Sequence, residues 1–404
     1  MLKRTLKIFL CFVLLVIICS ALISRFKGIG IKTANGQYIG YSEQGDEWLF
    51  FNYQNIPVRQ DGPYVIHENG KNQAIYIKGD GITSSKVYMK KVFNEIEVSV
   101  DNDVNTQFSV PLRKNYQRSK LVVPNPEKLF AISDLEGEFD SMVDLLQVNG
   151  VIDNSLNWSY ESGHLVLIGD MVDRGDNVVP LLWLIYKLEG EAKLAGGEVH
   201  YILGNHERYL LDGRTKSVSK KYYGTYRTTG MSQRELWSEN SELGRWLRSK
   251  PVMQKIGNTL FLHAGISPEI LNMNPTLQSV DKEAEKKFVI GDEKRRTING
   301  SVIHDANGII FYRGLARGNS KSNLDENASN EHVEKILKQF QVDKIAIGHT
   351  LAKHIGYDYN GKIIRVDVNH SGGISEGLFI ENDSLWRVDN KGNKFMLEQA
   401  NNFD

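Results

Sequence analysis

The chain has 404 residues, and its 49 Lys+Arg exactly offset its 49 Asp+Glu, giving a formal net charge of zero. That balance argues against a nucleic-acid binder, because nucleic-acid domains are usually strongly basic. The only cysteines, Cys11 and Cys19, both lie in an N-terminal apolar run. The rest of the chain can therefore form no intramolecular disulfide and no cysteine metal site, so any metal must be held by Asp, Glu, Asn or His.

The length suggests two or three domains. Residues 1–27 open with Lys3, Arg4 and Lys7, followed by an uncharged run over residues 8–24. As a helix that run spans about 26 Å, close to a thin hydrocarbon core. It reads as a single-pass membrane anchor with the soluble part on the extracytoplasmic, periplasmic side. The alternative is a cleavable signal, with "CSA" as the cleavage site, which would leave a secreted or periplasmic protein. Flanking positive charge is nearly tied, so orientation is weakly specified.

Residues 32–120 read as a small β-rich domain. "GQYIGYS", "WLFFNY", "NQAIYIKG", "KVYMKKVF" and "EIEVSV" are aromatic and β-branched runs separated by Gly, Asn and Asp turns. This domain carries no catalytic constellation and is expected to be a spacer or packing module. The Pro-marked "VVPNPEK" ends it, and residues 125–390 then alternate apolar strands with amphipathic helices, an α/β signature. Phe139, Met142, Val143 and Leu146 fall at helical spacing. Residues 391–404 read as a C-terminal tail. The basic, Tyr-rich "SKKYYGTYRTTG" is expected as a lid or a solvated loop, and "ELGRWLRS" as a packed helix with exposed arginines.

The chemistry sits at strand ends. "AIS" stops at Asp134, "LVLIG" at Asp170, "YILG" at Asn205 and His206, "LFL" at His263 and "IAIG" at His349. In α/β sheets, sites form in the loops beyond strand C-termini. A single strand-end Asp usually caps the next helix. Five strands that each present an oxygen or imidazole ligand at one edge point to a metal site.

In order, "SDLEG", "GDMVDRG", "GNHE", "HAG" and "GHT" resemble the signature of the calcineurin-like metallophosphoesterases. Their "DRG" and "GNHE" forms resemble the phosphoprotein phosphatase branch, in its bacterial or Shewanella-like type. The resemblance implies a four-layer α/β/β/α sandwich, here preceded by the small β domain and the transmembrane segment. It also implies two divalent metal ions, with Asp170 bridging them, Asp134 on the first, and Asn205, His263 and His349 on the second. Two imidazoles suit manganese, iron or zinc, and magnesium is possible. His206 would protonate the leaving oxygen, oriented by Asp173, while Arg174 and Arg313 would clamp phosphate. Glu136 departs from the pattern, because the family usually has "DxH" where this chain has "DLE". A ligating glutamate adds charge and harder oxygen character, favouring manganese or magnesium at the first site. Alternatively Glu136 only accepts hydrogen bonds, or the first metal is lost. His370 in "DVNHSGG" is expected near the mouth, contacting substrate or bonded to backbone.

The expected function is phosphate monoester hydrolysis by a hydroxide bridging the metals, on a phosphorylated Ser, Thr or Tyr of a protein. The alternatives are a nucleotide or small-molecule phosphohydrolase and a membrane-tethered, phosphate-binding pseudophosphatase. No nucleic-acid partner is expected, and the sequence leaves the oligomeric state open.

Overall fold

A computed structural model of the chain describes residues 56–289, 303, 307–317 and 327–400, apart from residues 57, 69, 83 and 115. It also describes three short strands over residues 31–52 and a few residues at 13–17. Among the described residues, no helix is long and apolar enough to cross a membrane. The apolar run expected as an anchor lies largely outside them.

Two six-stranded sheets form the centre. In the first, Lys128–Ile132, His164–Ile168 and Glu198–Ile202 run parallel. Glu376–Glu381, Ser384–Asp389 and Lys394–Met396 extend this sheet antiparallel. In the second, Thr259–Leu262, Lys344–Ile347 and Ile363–Arg365 run parallel, flanked by Met253–Ile256, Val122–Val123 and Gly356–Asp358. Side chains alternate between strand faces. Leu129, Ala131, Val166, Ile168 and Phe261 therefore share one apolar layer between the sheets. Their neighbours Phe130, Ile132, Leu165, Leu167, Leu260 and Leu262 belong to a separate core shared with the outer helices. The parallel strands of both sheets thus end along one edge.

The first outer helix, Phe139–Val148, buries Phe139, Met142, Leu145 and Leu146. The second, Val178–Leu194, is buried without interruption from Val178 to Leu188. A helix that is apolar all round needs cover on every side. One side is the first sheet; the N-terminal β region supplies another. That region comprises Gln60–Glu68, Lys71–Gly79 and Ser85–Lys91 in one sheet and the hairpin Glu95–Ser99 with Gln107–Pro111. Its Val58, Tyr64, Ile77, Val98 and Val110 are part of the same core as Trp183 and Leu184. Trp183 Nε1 donates to the Pro63 carbonyl at 2.9 Å, so the indole N–H is satisfied from the β region. The region is built into the helical layer and does not stand off as a spacer.

Two local expectations change. "SKKYYGTYRTTG" is neither a lid nor a solvated loop: it forms helix Lys220–Thr229, capped by the Ser219 hydroxyl and closed by Gly230 in the left-handed conformation. Its Tyr222 and Thr225, three apart, put one face against the β region, where Thr225 donates to buried Asp61 at 2.6 Å. The chain beyond residue 390 is no simple tail. Asp389 accepts the backbone N–H groups of Lys391 and Asn393, each at 2.9 Å, and the turn returns Lys394–Met396 to the sheet. Helix Glu242–Arg248 is packed as expected, but Arg248 turns inward to donate to the Trp237 and Gly244 carbonyls.

Glu242 joins the β region to the helical layer. Its buried carboxylate accepts from Tyr186 at 2.8 Å, from Arg245 at 2.8 Å and from Tyr116, and it meets His67 Nε2 at 2.5 Å. Burial alone would raise its pKa, but these donors outweigh burial and hold it down at about 2. The unfolded carboxyl titrates near 4.3, so this stabilisation is complete above about pH 5 and is lost as pH falls towards 2. Glu242→Gln should lower stability at pH 7 by about 3 kcal/mol. It should also flatten the acid limb of the stability profile between pH 5 and 2, read by denaturant unfolding. An unchanged acid limb would refute this role.

Candidate active site

The site is built from tight turns where strands end. Asp134, Glu136, Asp170, Asp173, Arg174 and His349 all have φ between 49° and 70°, a region that residues other than glycine seldom occupy. Backbone bonds hold these turns against one another. Asp134 N donates to Gly169 O at 3.1 Å, Glu136 N to Asp170 O at 2.9 Å and Gly175 N to Glu136 O at 2.7 Å. Strained conformations of this kind persist where the surroundings over-determine them. Glycine is required where turns touch: a Cβ at Gly204 would run into the Asp170 carboxylate, and one at Gly348 into Ser133 and Asp134.

Asp170 lies at the centre. Its Oδ1 accepts the His206 backbone N–H at 2.8 Å, and its Oδ2 stands 3.0 Å from His263 Nε2. His263 Nε2 is also 3.1 Å from Asn205 Oδ1. The opposite ring nitrogen, Nδ1, meets the Ile168 carbonyl at 2.8 Å, which assigns a proton to Nδ1 and turns Nε2 towards the site. Asp170, His263 and His349 each place a ligand atom within 4.8 Å of the other two. Asp134 adjoins this group, its Oδ2 accepting His349 N–H at 3.0 Å and the Ser133 hydroxyl.

Glu136 takes a different partner: its Oε2 accepts from Arg174 Nη1 at 2.7 Å. His206 Nδ1 is 2.8 Å from Asp173 Oδ2. Arg313 donates to Thr350 Oγ1 at 3.3 Å and to the His349 carbonyl. The turns enclose a cavity of about 460 Å³. All the expected site residues line it except Asp173 and His263, which stand behind its wall. His370 lines it too, with Nδ1 3.0 Å from the Ser375 hydroxyl.

Two further residues belong here. Glu207 is fully buried, and its carboxylate accepts from Asp170 N, Met171 N, Gly204 N and Tyr201 OH, all between 2.7 and 2.9 Å. It pins the Asp170 turn to the Asn205 turn. Its signal was present, since Glu207 is the last letter of "GNHE". Asp367 lines the cavity two residues past the end of Ile363–Arg365, the same strand-tip position as the others.

The charges show that this set suits cations. Burial raises the Asp134 carboxyl, and Asp170 adds to the rise. Burial and then Asp134 push Glu136 up to about 7, and burial with Asp134 and Glu136 drives Asp367 well above its ordinary value. Burial opposes protonation of His263, but Asp170 and Asp134 outweigh it and carry the ring up to about 10. Packed this closely, several of the carboxylates hold protons more tightly than usual, and divalent cations on oxygen and imidazole donors would take the place of those protons.

A family model described as calcineurin-like phosphoesterase matches residues 128–353, more than half of the chain. The chain belongs to the calcineurin-like phosphoesterase family. It is a metallophosphoesterase, a hydrolase of the protein phosphatase-like kind. The crystal structure of a cold-active protein-tyrosine phosphatase from a psychrophilic Shewanella species is similar, with a TM-score of 0.74 and 28% identity. That match covers 84% of this chain and 99% of that one, so it takes in part of the N-terminal β region as well. An uncharacterized protein of Schizosaccharomyces pombe is 28% identical over 249 residues, covering 60% of this chain and 73% of the relative. Shewanella-like protein phosphatase 2 of Arabidopsis thaliana is 24% identical over 312 residues, covering 63% and 74%.

Glu207 acts through the backbone on Asp170 and on the turn that carries Asn205, two candidate metal ligands. Glu207→Gln would turn an amide N–H₂ towards backbone donors. We expect it to weaken manganese binding by about ten-fold or more, measured by titration calorimetry. Unchanged affinity would rule out the pinning role.

Proposed function

We propose that the protein is a phosphoprotein phosphatase that hydrolyses phosphate monoesters on protein side chains. The observation that carries the chemistry is the convergence of the His206–Asp173 pair and two arginines on a cavity walled by carboxylates and imidazoles. The substrate class is supported by the likeness to the Shewanella protein-tyrosine phosphatase over 99% of that chain. A cavity of about 460 Å³ open to solvent admits a phosphorylated side chain.

In this reading Asp134, Glu136 and Asp170 would hold one divalent cation, and Asp170, Asn205, His263 and His349 the other. Manganese, iron, zinc or magnesium would satisfy such donors. When bound, the cations supply Lewis-acid neutralisation of phosphate charge and acidify water. The chain's own groups do the rest. Arg174 and Arg313 offer planar forks of donors to phosphate oxygens. Asp170 receives the His206 backbone N–H, so the carboxylate that would hold the cations and the acid are set by one turn. Asp173 accepts from Nδ1 of His206 and points Nε2 towards the leaving oxygen. Without cations, burial disfavours the imidazolium, but Asp170 and Asp173 raise it to about 9; the Asp173 contact is the one that would favour a protonated ring beside bound cations.

The test is a screen of the purified protein across these metals with phosphotyrosyl, phosphoseryl and phosphothreonyl peptides, a nucleotide and an aryl phosphate. Peptide turnover above nucleotide turnover is expected, and the reverse would overturn the substrate class. Asn205→Ala should abolish turnover of the aryl phosphate, and retained activity would refute the ligand assignment. His206→Ala should slow peptides with poor leaving groups by about a hundred-fold or more, and an activated aryl ester far less. Equal losses would argue against the acid role.

A further inference from the structure

A second polar cluster interrupts the layer between the sheets, at the end away from the active site. His164 opens strand His164–Ile168, while Glu198 and His200 lie on Glu198–Ile202. Alternation places His164 on the face of Val166 and Ile168, and Glu198 and His200 on the face of Ile202, all members of the inter-sheet layer. His164 is in register with Glu198, and Val166 with His200. His200 Nε2 therefore comes within 3.0 Å of His164 Nδ1, and one donor atom from each of the three residues lies within 4.8 Å of the others. Gln254, on Met253–Ile256 of the opposite sheet, shares the face of Ile256 and adjoins His200. It is 1% exposed; its Nε2 donates to the Lys120 carbonyl, and its Oε1 faces the His200 ring without a hydrogen bond of good geometry.

We propose that His164, Glu198 and His200, with Oε1 of Gln254, form a structural site for zinc or a similar borderline divalent cation, separate from the active centre. Two imidazole nitrogens and one carboxylate are a zinc donor set, and imidazoles on a tetrahedral zinc stand about 3.3 Å apart, close to the spacing seen. A hydrogen bond between the two rings would account for one nitrogen of each. That bond, even with Gln254 facing the other side of His200, gives Glu198 no hydrogen bond to either ring. The Lys250 ammonium is tied to Glu189 at 2.6 Å and still acts on Glu198. Lys120 and Lys193 act on Glu198 and weaken the field it offers a cation. His164 and Glu198 are half-buried, which leaves the cation a way in and room for water. Donors from both sheets make the bound cation a clasp across the foot of the sandwich.

The experiment is zinc titration of the metal-stripped, full-length protein and of its Glu198→Gln and His164→Asn variants, reading bound zinc per chain and the zinc-dependent rise in Tm. Each variant should lose one equivalent at a free zinc level that saturates the parent, or bind it at least ten-fold more weakly, with a smaller rise in Tm. Aryl phosphatase activity at saturating manganese should stay within two-fold of the parent. The same loss should be seen in an Asn205→Ala background, which separates this site from the active centre. Unchanged stoichiometry and an unchanged rise in Tm in Glu198→Gln, which keeps the size of the side chain, would overturn the proposal even if His164→Asn fails to fold.

Discussion

Buried negative charge at one edge of the sandwich is the constraint on which the rest of the molecule depends. Asp134, Asp170 and Asp367 are each less than 9% exposed, with Glu136 beside them. Isolated carboxylates would not stay ionised there. The fold answers with a frame that cannot relax: strand ends turn through left-handed conformations, and Glu207 ties two of those turns to each other through their own N–H groups. The carboxylates are then fixed close enough for a cation to satisfy several at once. The same frame sets His206, because its backbone N–H binds Asp170 while its ring binds Asp173. The carboxylate proposed to hold metal and the imidazole proposed to donate a proton are therefore positioned by one piece of backbone.

Where chemistry follows from strand position, it was legible in the sequence. An apolar run stopping at Asp134, Asp170, Asn205, His263 or His349 announces both the strand and the edge its side chain will occupy, and the structure brings these residues together. Asp367 obeys the same rule less plainly, because Val366 and Val368 continue the apolar alternation on either side of it and mask the strand end at Arg365. Glu207 was hidden for another reason: a glutamate in the first turn of a helix is ordinary helix chemistry, and only the tertiary contact between two turns reveals what it holds. The pairing of Glu136 with Arg174 likewise depends on two turns 38 residues apart meeting side by side.

The N-terminal β region shows why domain limits were harder to read. Its strands were plain from aromatic and β-branched runs between Gly and Asn turns. What they cover was written elsewhere, in "VVPLLWLIYKL", a helix apolar on every side. Such a helix next to a single sheet would leave Trp183 or Tyr186 in water; with the β region in place both are fully buried. The Glu242 network then fastens the two parts with one carboxylate shared by donors from His67, Tyr116 and Tyr186. The likeness to the Shewanella phosphatase, which extends beyond residues 128–353, is what this shared core would produce.

Glu136 gives the active site a feature of its own. A histidine there would bring a neutral donor, whereas glutamate brings a charge that Arg174 meets at 2.7 Å. The guanidinium expected to grip phosphate is thereby linked to a carboxylate expected to grip metal. Burial and Asp134 raise the Glu136 carboxyl, and Arg174 opposes them, so removing the arginine would change the charge of the glutamate as well as phosphate binding. Substitutions at the two positions should consequently be non-additive, as for any pair in direct contact. The departure from "DxH" is thus a change in the charge balance of the whole edge, with the arginine of "DRG" as its nearest counterweight.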